Sequence, residues 1–180
     1  MSGTVAAVSA RSGHHFSKTP RLAIELVAGE GVVGDGHRGR TVKHRSRVRV
    51  DPSQPNLRQV HLIAMERLEE LRSRGFDLLP GDLGENITTR GIDLLALPAG
   101  TLLRIGAGAV VAVTGLRNPC RQIEDFREGL LAEMVERAPD GQIVRKAGVM
   151  GIVAAGGTVQ PGDPIAVISP PGTPRSLQPV

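Results

Sequence analysis

The sequence predicts a mainly β fold, a β-barrel with a few peripheral helices. Three observations carry that expectation. Short runs of small and β-branched apolar residues recur along the chain, separated by Gly-rich turns. Only two segments show helical apolar spacing. The alternation of long helices and strands that a doubly wound sheet requires is missing. A chain of 180 residues, 40% of them hydrophobic, suffices for one domain with a sizeable core.

The elements follow in chain order. Thr4–Ala10 and Leu22–Ala28 read as strands, and Gln59–Ile63 as another. Over Ala64–Arg74, Met65, Leu68 and Leu71 fall on one face with Glu66, Arg67, Glu69 and Glu70 elsewhere, which predicts an amphipathic helix. Gly81–Gly84 is turn chemistry, and Glu85–Thr89 extends from it. Thr101–Ile105 and Val110–Thr114 flank Gly106-Ala107-Gly108 as a hairpin. Leu130, Leu131, Met134 and Val135 mark a second helix, ended by Pro139–Gly141. Val149–Ala154 and Ile165–Ile168 are late strands around the turn Gln160–Asp163. One barrel domain is expected over residues 1–169, with 36–57 as a flexible basic loop. Residues 170–180 carry four prolines and are expected as a loose tail.

Composition removes several function classes. A single cysteine, Cys120, makes no internal disulfide, CxxC redox pair or Cys-rich zinc site. The chain has three Phe and neither Trp nor Tyr, which argues against aromatic platforms for single-stranded nucleic acid or sugars. No leader-like or membrane-spanning apolar run is visible, so a cytoplasmic protein without membrane contact is expected. The sequon Asn86-Ile87-Thr88 is then read as chance.

Net charge is +4, distributed unevenly. Residues 1–60 hold 10 Lys+Arg against 4 Asp+Glu, whereas residues 61–180 hold 12 against 14. The excess concentrates in His37–Arg49, where Arg38, Arg40, Lys43, Arg45, Arg47 and Arg49 meet no acid. A solvated loop is the plain reading of most of this run. Arg38 and Arg40 differ because they adjoin Gly34, Gly36 and Gly39, and glycines let backbone N–H groups approach an anion.

Some motif matches are set aside. Gly29–Gly34 fits GxGxxG, but Asp35-Gly36-His37 and a basic run follow where a dinucleotide fold needs a helix. There is no P-loop, no GxSxG and no HExxH among the five histidines. Cys120 is the strongest local lead. In Arg117-Asn118-Pro119-Cys120-Arg121, Asn118 is a good N-cap and Pro119 a favoured first helical residue. Cys120 would then be the second residue of a helical turn, flanked by Arg117 and Arg121, all of which favours thiolate. The alternative is an inert core thiol.

Six pieces in order resemble the MOSC domain, the C-terminal domain of molybdenum cofactor sulfurases. They are Gly34-Asp35-Gly36-His37, Arg58-Gln59-Val60-His61-Leu62, Gly81-Asp82-Leu83-Gly84-Glu85-Asn86, Leu97-Pro98-Ala99-Gly100, Arg117-Asn118-Pro119-Cys120 and Gly162-Asp163. The resemblance implies a β-rich barrel that binds the molybdenum cofactor (molybdopterin) or handles sulfur for it. It makes Cys120 the catalytic residue, as molybdenum ligand or sulfur carrier; a soft thiolate suits such a metal. It implies a cofactor-binding set of His37, Arg38, Arg40, Gln59, Glu85, Asn86, Arg117 and Asn118. In that set Arg38, Arg40 and Arg117 would fork onto the cofactor phosphate, while Glu85 and Asn86 would read pterin edges. Gln59 and His61 share a strand face, with either a site or a core role.

Two activities are compatible with the resemblance. One is a molybdenum-dependent oxidoreductase acting on a small-molecule substrate, for example reducing N-hydroxylated compounds. One cysteine cannot hold an iron–sulfur cluster, so a separate reductase would supply electrons. The other is a sulfur or cofactor carrier fed by a sulfur donor. The pyridoxal-phosphate domain of the fused sulfurases has no counterpart in this chain, and no pyridoxal-phosphate site is evident. The non-enzymatic alternative is a basic barrel that binds anions or nucleic-acid backbone, against which the missing aromatics weigh.

Overall fold

The computed structural model describes residues 2–43 and 48–180; His44, Arg45 and Arg47 of the basic run lie outside the described residues. Seven strands form a closed mixed barrel: β1 (Ser2–Ala10), β5 (Val60–Ala64), β6 (Ile87–Arg90), β7 (Leu102–Ile105), β8 (Ala109–Leu116), β11 (Val149–Ala155) and β13 (Pro164–Ile168). The order around the barrel is β13-β7-β8-β11-β5-β6-β1, and β1 pairs back onto β13 through Ser2–Thr4. A short strand, β2 (Thr19–Arg21), extends the sheet beside the end of β1. The β5–β6 pair is parallel and the other barrel pairs are antiparallel. A parallel pair needs a crossover. Helix α1 (Met65–Ser73) supplies it between β5 and β6.

Alternation decides which face each strand buries. In β8 every second residue from Ala109 is buried, and Val111 and Val113 join Val60, Leu62, Ile87, Leu103 and Ile105 inside the barrel. The other face of β5 carries His61 and Ile63. Ile63 belongs to a second apolar cluster with Leu68 and Leu71 of α1, Leu78, Leu83, Ile123, Leu130 and Met134. That cluster fixes helices α2 (Arg121–Phe126) and α3 (Leu130–Glu133) against the outside of the barrel. Two small sheets complete the fold. They are β12-β3-β4, from Gly157–Val159, Ile24–Val27 and Gly31–Val32, and the hairpin β9 (Val135–Arg137) with β10 (Ile143–Arg145).

Most predicted strands and α1 lie within one or two residues of their expected bounds, and the Gly106–Gly108 hairpin forms as expected. The second helix differs. It stops at Glu133, Val135 opens β9, and Pro139–Gly141 lies in the turn of the β9–β10 hairpin. The base of the 36–57 loop is tied rather than loose. Asn56 Nδ2 donates to the carbonyls of His37 and Gly39, both at 2.9 Å, and Thr41 bridges Pro55. The Pro-rich segment is also held, with Leu177 buried and Pro179 bridged to Leu116. Among the described residues, no helix is long and apolar enough to cross a membrane.

Candidate functional site

A cavity of about 500 Å³ opens on the outside of the barrel, where β5, β8 and β11 meet α2 and the loops that follow β1 and β4. Its depth is built from buried side chains. His61 projects from the outer face of β5, and Met150 pairs with it from β11. Arg117 follows the last residue of β8, and Lys18 comes from the loop between β1 and β2. Toward the rim stand His14, His15, Phe16, His37, Arg58, Asn118, Cys120, Arg121 and Gln122. Among the described residues, four Lys or Arg and four His side chains line this cavity, and no Asp or Glu side chain does. A concave site lined by one sign of charge concentrates anions.

The buried cations are held from below. Lys18 Nζ pairs with Asp35 Oδ2 at 2.9 Å, with side-chain exposures of 4% and 0%. Asp35 also accepts from Asn86 Nδ2 and from the His37 amide, each at 2.9 Å. Burial works against its charge, but the bonds from His37 and Lys18 hold its carboxyl well below the ordinary carboxylate range. Burial pulls Lys18 down from the usual ammonium value, and Asp35 opposes that. Arg117 donates to the Leu83 carbonyl and lies over the Phe16 ring, 5.5 Å from its centroid. Burial lowers Arg117 to about 10, so it remains charged at neutral pH.

His61 is the buried base of the cavity. Its Nε2 lies 2.8 Å from the Ala147 carbonyl, which only accepts, so Nε2 carries the proton. Burial, reinforced by Arg117, pushes the imidazole well below its ordinary value and keeps it neutral. The sign of the linkage follows. The unfolded chain takes up a proton below about pH 6.5, whereas the folded chain resists it. Stability is therefore expected to fall from pH 7 toward pH 5, with this one group contributing up to about 1.4 kcal/mol per pH unit. Urea denaturation at several pH values, in the parent and in His61→Gln, reads it; equal slopes in both proteins would refute the assignment.

The structure brings together His37, Asn86, Arg117, Asn118 and Cys120 of the expected set. It does not bring the other four. Arg38 pairs with Glu30 Oε2 at 2.7 and 3.0 Å, and neither it nor the exposed Arg40 lines the cavity. Within the glycine cluster Gly36 serves packing: a Cβ there would overlap the Gly13 carbonyl. Gln59 is pinned by Gly29 O at 2.8 Å and Val153 N at 2.9 Å, just ahead of β5, so it is a structural clamp. Glu85 is fully buried away from the cavity. Its Oε1 accepts from Gly81 N at 2.6 Å, its Oε2 has no partner among the described residues, and burial pushes its carboxyl up. Asn86 spends its polar atoms on Asp35, Ser9 O and the His61 amide. It ties loops together instead of presenting an edge to a ligand.

Cys120 borders the cavity, but not by the predicted route. It is itself the N-cap of α2, with extended backbone angles, so Asn118 caps nothing. Asn118 Oδ1 instead accepts from Arg145 Nε at 3.0 Å. The Cys120 thiol is half-buried and contacts Gln122 Oε1 at 3.6 Å. Sequence reasoning missed Lys18, Arg58 and Arg121 as cavity cations. Arg58 and Arg121 stood within motifs already singled out, whereas nothing in Ser17-Lys18-Thr19 marks Lys18. Among the described residues, no three His, Cys, Asp or Glu side chains converge as a metal site.

The family model described as the MOSC domain matches residues 14–166. The chain belongs to the MOSC domain family. Some MOSC proteins are molybdenum-cofactor-dependent enzymes. Among solved structures, the chain resembles the YuaD protein from Bacillus subtilis at 24% identity, covering 94% of this chain and 97% of that one, with a TM-score of 0.76. It also resembles YiiM from Geobacillus stearothermophilus (17% identity, 93% and 75% coverage, TM-score 0.65). YiiM from Escherichia coli is similar again, at 18% identity, 97% and 73% coverage and a TM-score of 0.61. At these identities the likeness establishes the MOSC fold alone. No curated protein sequence matches the chain.

Proposed function

We propose that the cavity binds the molybdenum cofactor and that the protein is a molybdenum-dependent oxidoreductase acting on a small molecule. The observation that carries this reading is the charge of the cavity: Lys18, Arg58, Arg117 and Arg121 line it without an Asp or Glu, and the chain's one thiol sits on its edge. The residues fit the group. A volume of about 500 Å³ lies within the range of about 300–1,000 Å³ usual for small-molecule pockets. Lys18, Arg58 and Arg117 would hold the phosphate, His37, Asn118 and Gln122 would meet the polar ring, and Cys120 would ligate the metal. When bound, the cofactor supplies oxygen-atom transfer with a change in metal oxidation state.

The chain's own contribution is binding and proton placement. Lys18 and Arg117 are set before any ligand arrives, because Asp35 and the Leu83 carbonyl hold them. Cys120 has to lose its proton to act as ligand. His61 keeps its own proton on Nε2, against Ala147, and so orders the floor of the cavity. A separate reductase would deliver electrons, since one cysteine holds no iron–sulfur cluster.

A second reading, a sulfur or cofactor carrier, is favoured by the accessibility of the sulfur, which is half-exposed with one long contact. In the nucleic-acid alternative the cations would meet a polyanion backbone. The burial of Lys18 and Arg117 suits a small anion better, and a salt titration separates the two.

The test is metal and pterin analysis of protein expressed in a cofactor-competent host, with Cys120→Ser alongside. Molybdenum and pterin are expected in the parent, and molybdenum is expected to fall at least about tenfold in the variant. Equal molybdenum in both would remove Cys120 as ligand. A parent with neither molybdenum nor pterin would overturn the cofactor reading, and a persulfide on Cys120 by mass would then support the carrier.

A further inference from the structure

The segment Arg175–Val180 does not behave as a loose tail. The Ala99 amide donates to the Arg175 carbonyl at 2.8 Å, and Leu177 is buried in the barrel cluster. The Leu116 amide donates to the Gln178 carbonyl at 2.9 Å, and the Val180 amide donates to the Leu116 carbonyl at 3.2 Å. Both backbone polar groups of Leu116, the last residue of β8, are thus bonded to this segment. In the parallel bridge of Leu116 with Pro179, the ladder bonds fall on Gln178 and Val180. The donor that proline lacks is not needed there.

The sequence of β8 is cut to receive the segment. Gly115 sits in a strand of otherwise apolar and β-branched residues, where glycine weakens pairing unless another backbone comes close. A Cβ at Gly115 would overlap the Gln178 carbonyl and lie 2.6 Å from Val180 Cγ1. Its three nearest atoms all belong to this one segment. Strand β7 pairs with β8 only as far as Ala112, so the segment bonds β8 beyond the reach of β7. Immediately past Leu116 come Arg117 and Cys120, and Val180 lines the same cavity as both.

We propose that Arg175–Val180 is a positioning strap for the cavity: it forms part of the wall and fixes the end of β8 from which Arg117 and Cys120 are presented. Its consequence for an anionic ligand rests on the cofactor reading above; its consequence for Cys120 does not.

Two single-residue variants displace the strap by different routes. Gly115→Ala adds a methyl group that meets the strap, and Leu177→Ser removes its apolar anchor. Hydrogen exchange at the Leu116 amide confirms displacement, and cooperative thermal unfolding confirms that the barrel persists. In both variants, alkylation of Cys120 by iodoacetamide is expected to accelerate by about threefold or more, because a wall is lost and the site loosens. Affinity for inorganic phosphate is expected to weaken about tenfold as Arg117 loses its fixed position. If the Leu116 amide exchanges fast while the alkylation rate stays at the parent value, the strap has no role at the site. If the parent binds no phosphate, the cofactor reading is weakened and the alkylation comparison still decides the strap.

Discussion

Replacing Asp35 by alanine is expected to destabilise the protein by about 3–5 kcal/mol, because it strands the Lys18 ammonium in the interior. Asp35 is fully shielded and accepts from Lys18, Asn86 and the His37 amide. Removing it leaves one buried charge uncompensated and two donors without an acceptor. The double variant Asp35→Ala with Lys18→Met should recover a large part of the loss, since no unpaired charge then remains. Urea denaturation of the four proteins of this cycle measures the coupling; a double variant no more stable than Asp35→Ala alone would refute the charge argument. The pH dependence has a defined sign. The folded carboxyl lies below its unfolded value near 3.8, so its contribution is complete above about pH 4. It is lost as the pH falls through the depressed folded value, and Asp35→Ala lacks this acid limb.

Arg117→Met is expected to separate binding from stability. The methionine fills the space over Phe16 but carries no charge. It gives up the bond to the Leu83 carbonyl, which costs about 1–3 kcal/mol, and relieves a buried cation close to Arg58 and His61, which offsets that cost. The net change in stability is expected to stay within about 1 kcal/mol. Anion binding has no such compensation. A lost charge-assisted bond of about 1.5–3 kcal/mol corresponds to roughly 10- to 150-fold weaker affinity. Calorimetric titration with inorganic phosphate reads this directly, and an affinity equal to the parent's would exclude Arg117 from the anion site. Because Arg117 also depresses His61, the variant should show a shallower loss of stability between pH 7 and pH 5.

The barrel was legible where burial imposes a period. β8 and β5 read as strands because their apolar residues face a common interior, and α1 because Leu68 and Leu71 recur on one face. The short strands were not legible. Thr19–Arg21 and Val135–Arg137 have no buried residue, so they carry no hydrophobic period and exist only through partners elsewhere in the chain. The site divides in the same way. Arg117 and Cys120 announce themselves through near neighbours. Lys18 does not, because its partner Asp35 arrives through a loop contact that no local pattern encodes. Asn118 shows the converse: its sequence context fits a cap, but its side chain is bonded to Arg145, 27 residues away. Arg38 and Arg40 looked apt beside their glycines, yet Arg38 had an acid within reach at Glu30 and Gly36 was needed for packing.

The pairing of β1 with β13 has a consequence for how the molecule is made. Ser2–Thr4 lie against Pro164–Ala166, so the seam joins residues about 160 positions apart in sequence. Contacts of such separation form late, because the loop-closure entropy precedes any reward. During synthesis β1 can take up β2 and β6 but leaves the β13-facing edge of Ser2–Thr4 unpaired until nearly the whole barrel has emerged. Barrel closure therefore waits for β13, and the waiting edge of β1 is where a nascent chain of this kind is most exposed to mispairing with a neighbour.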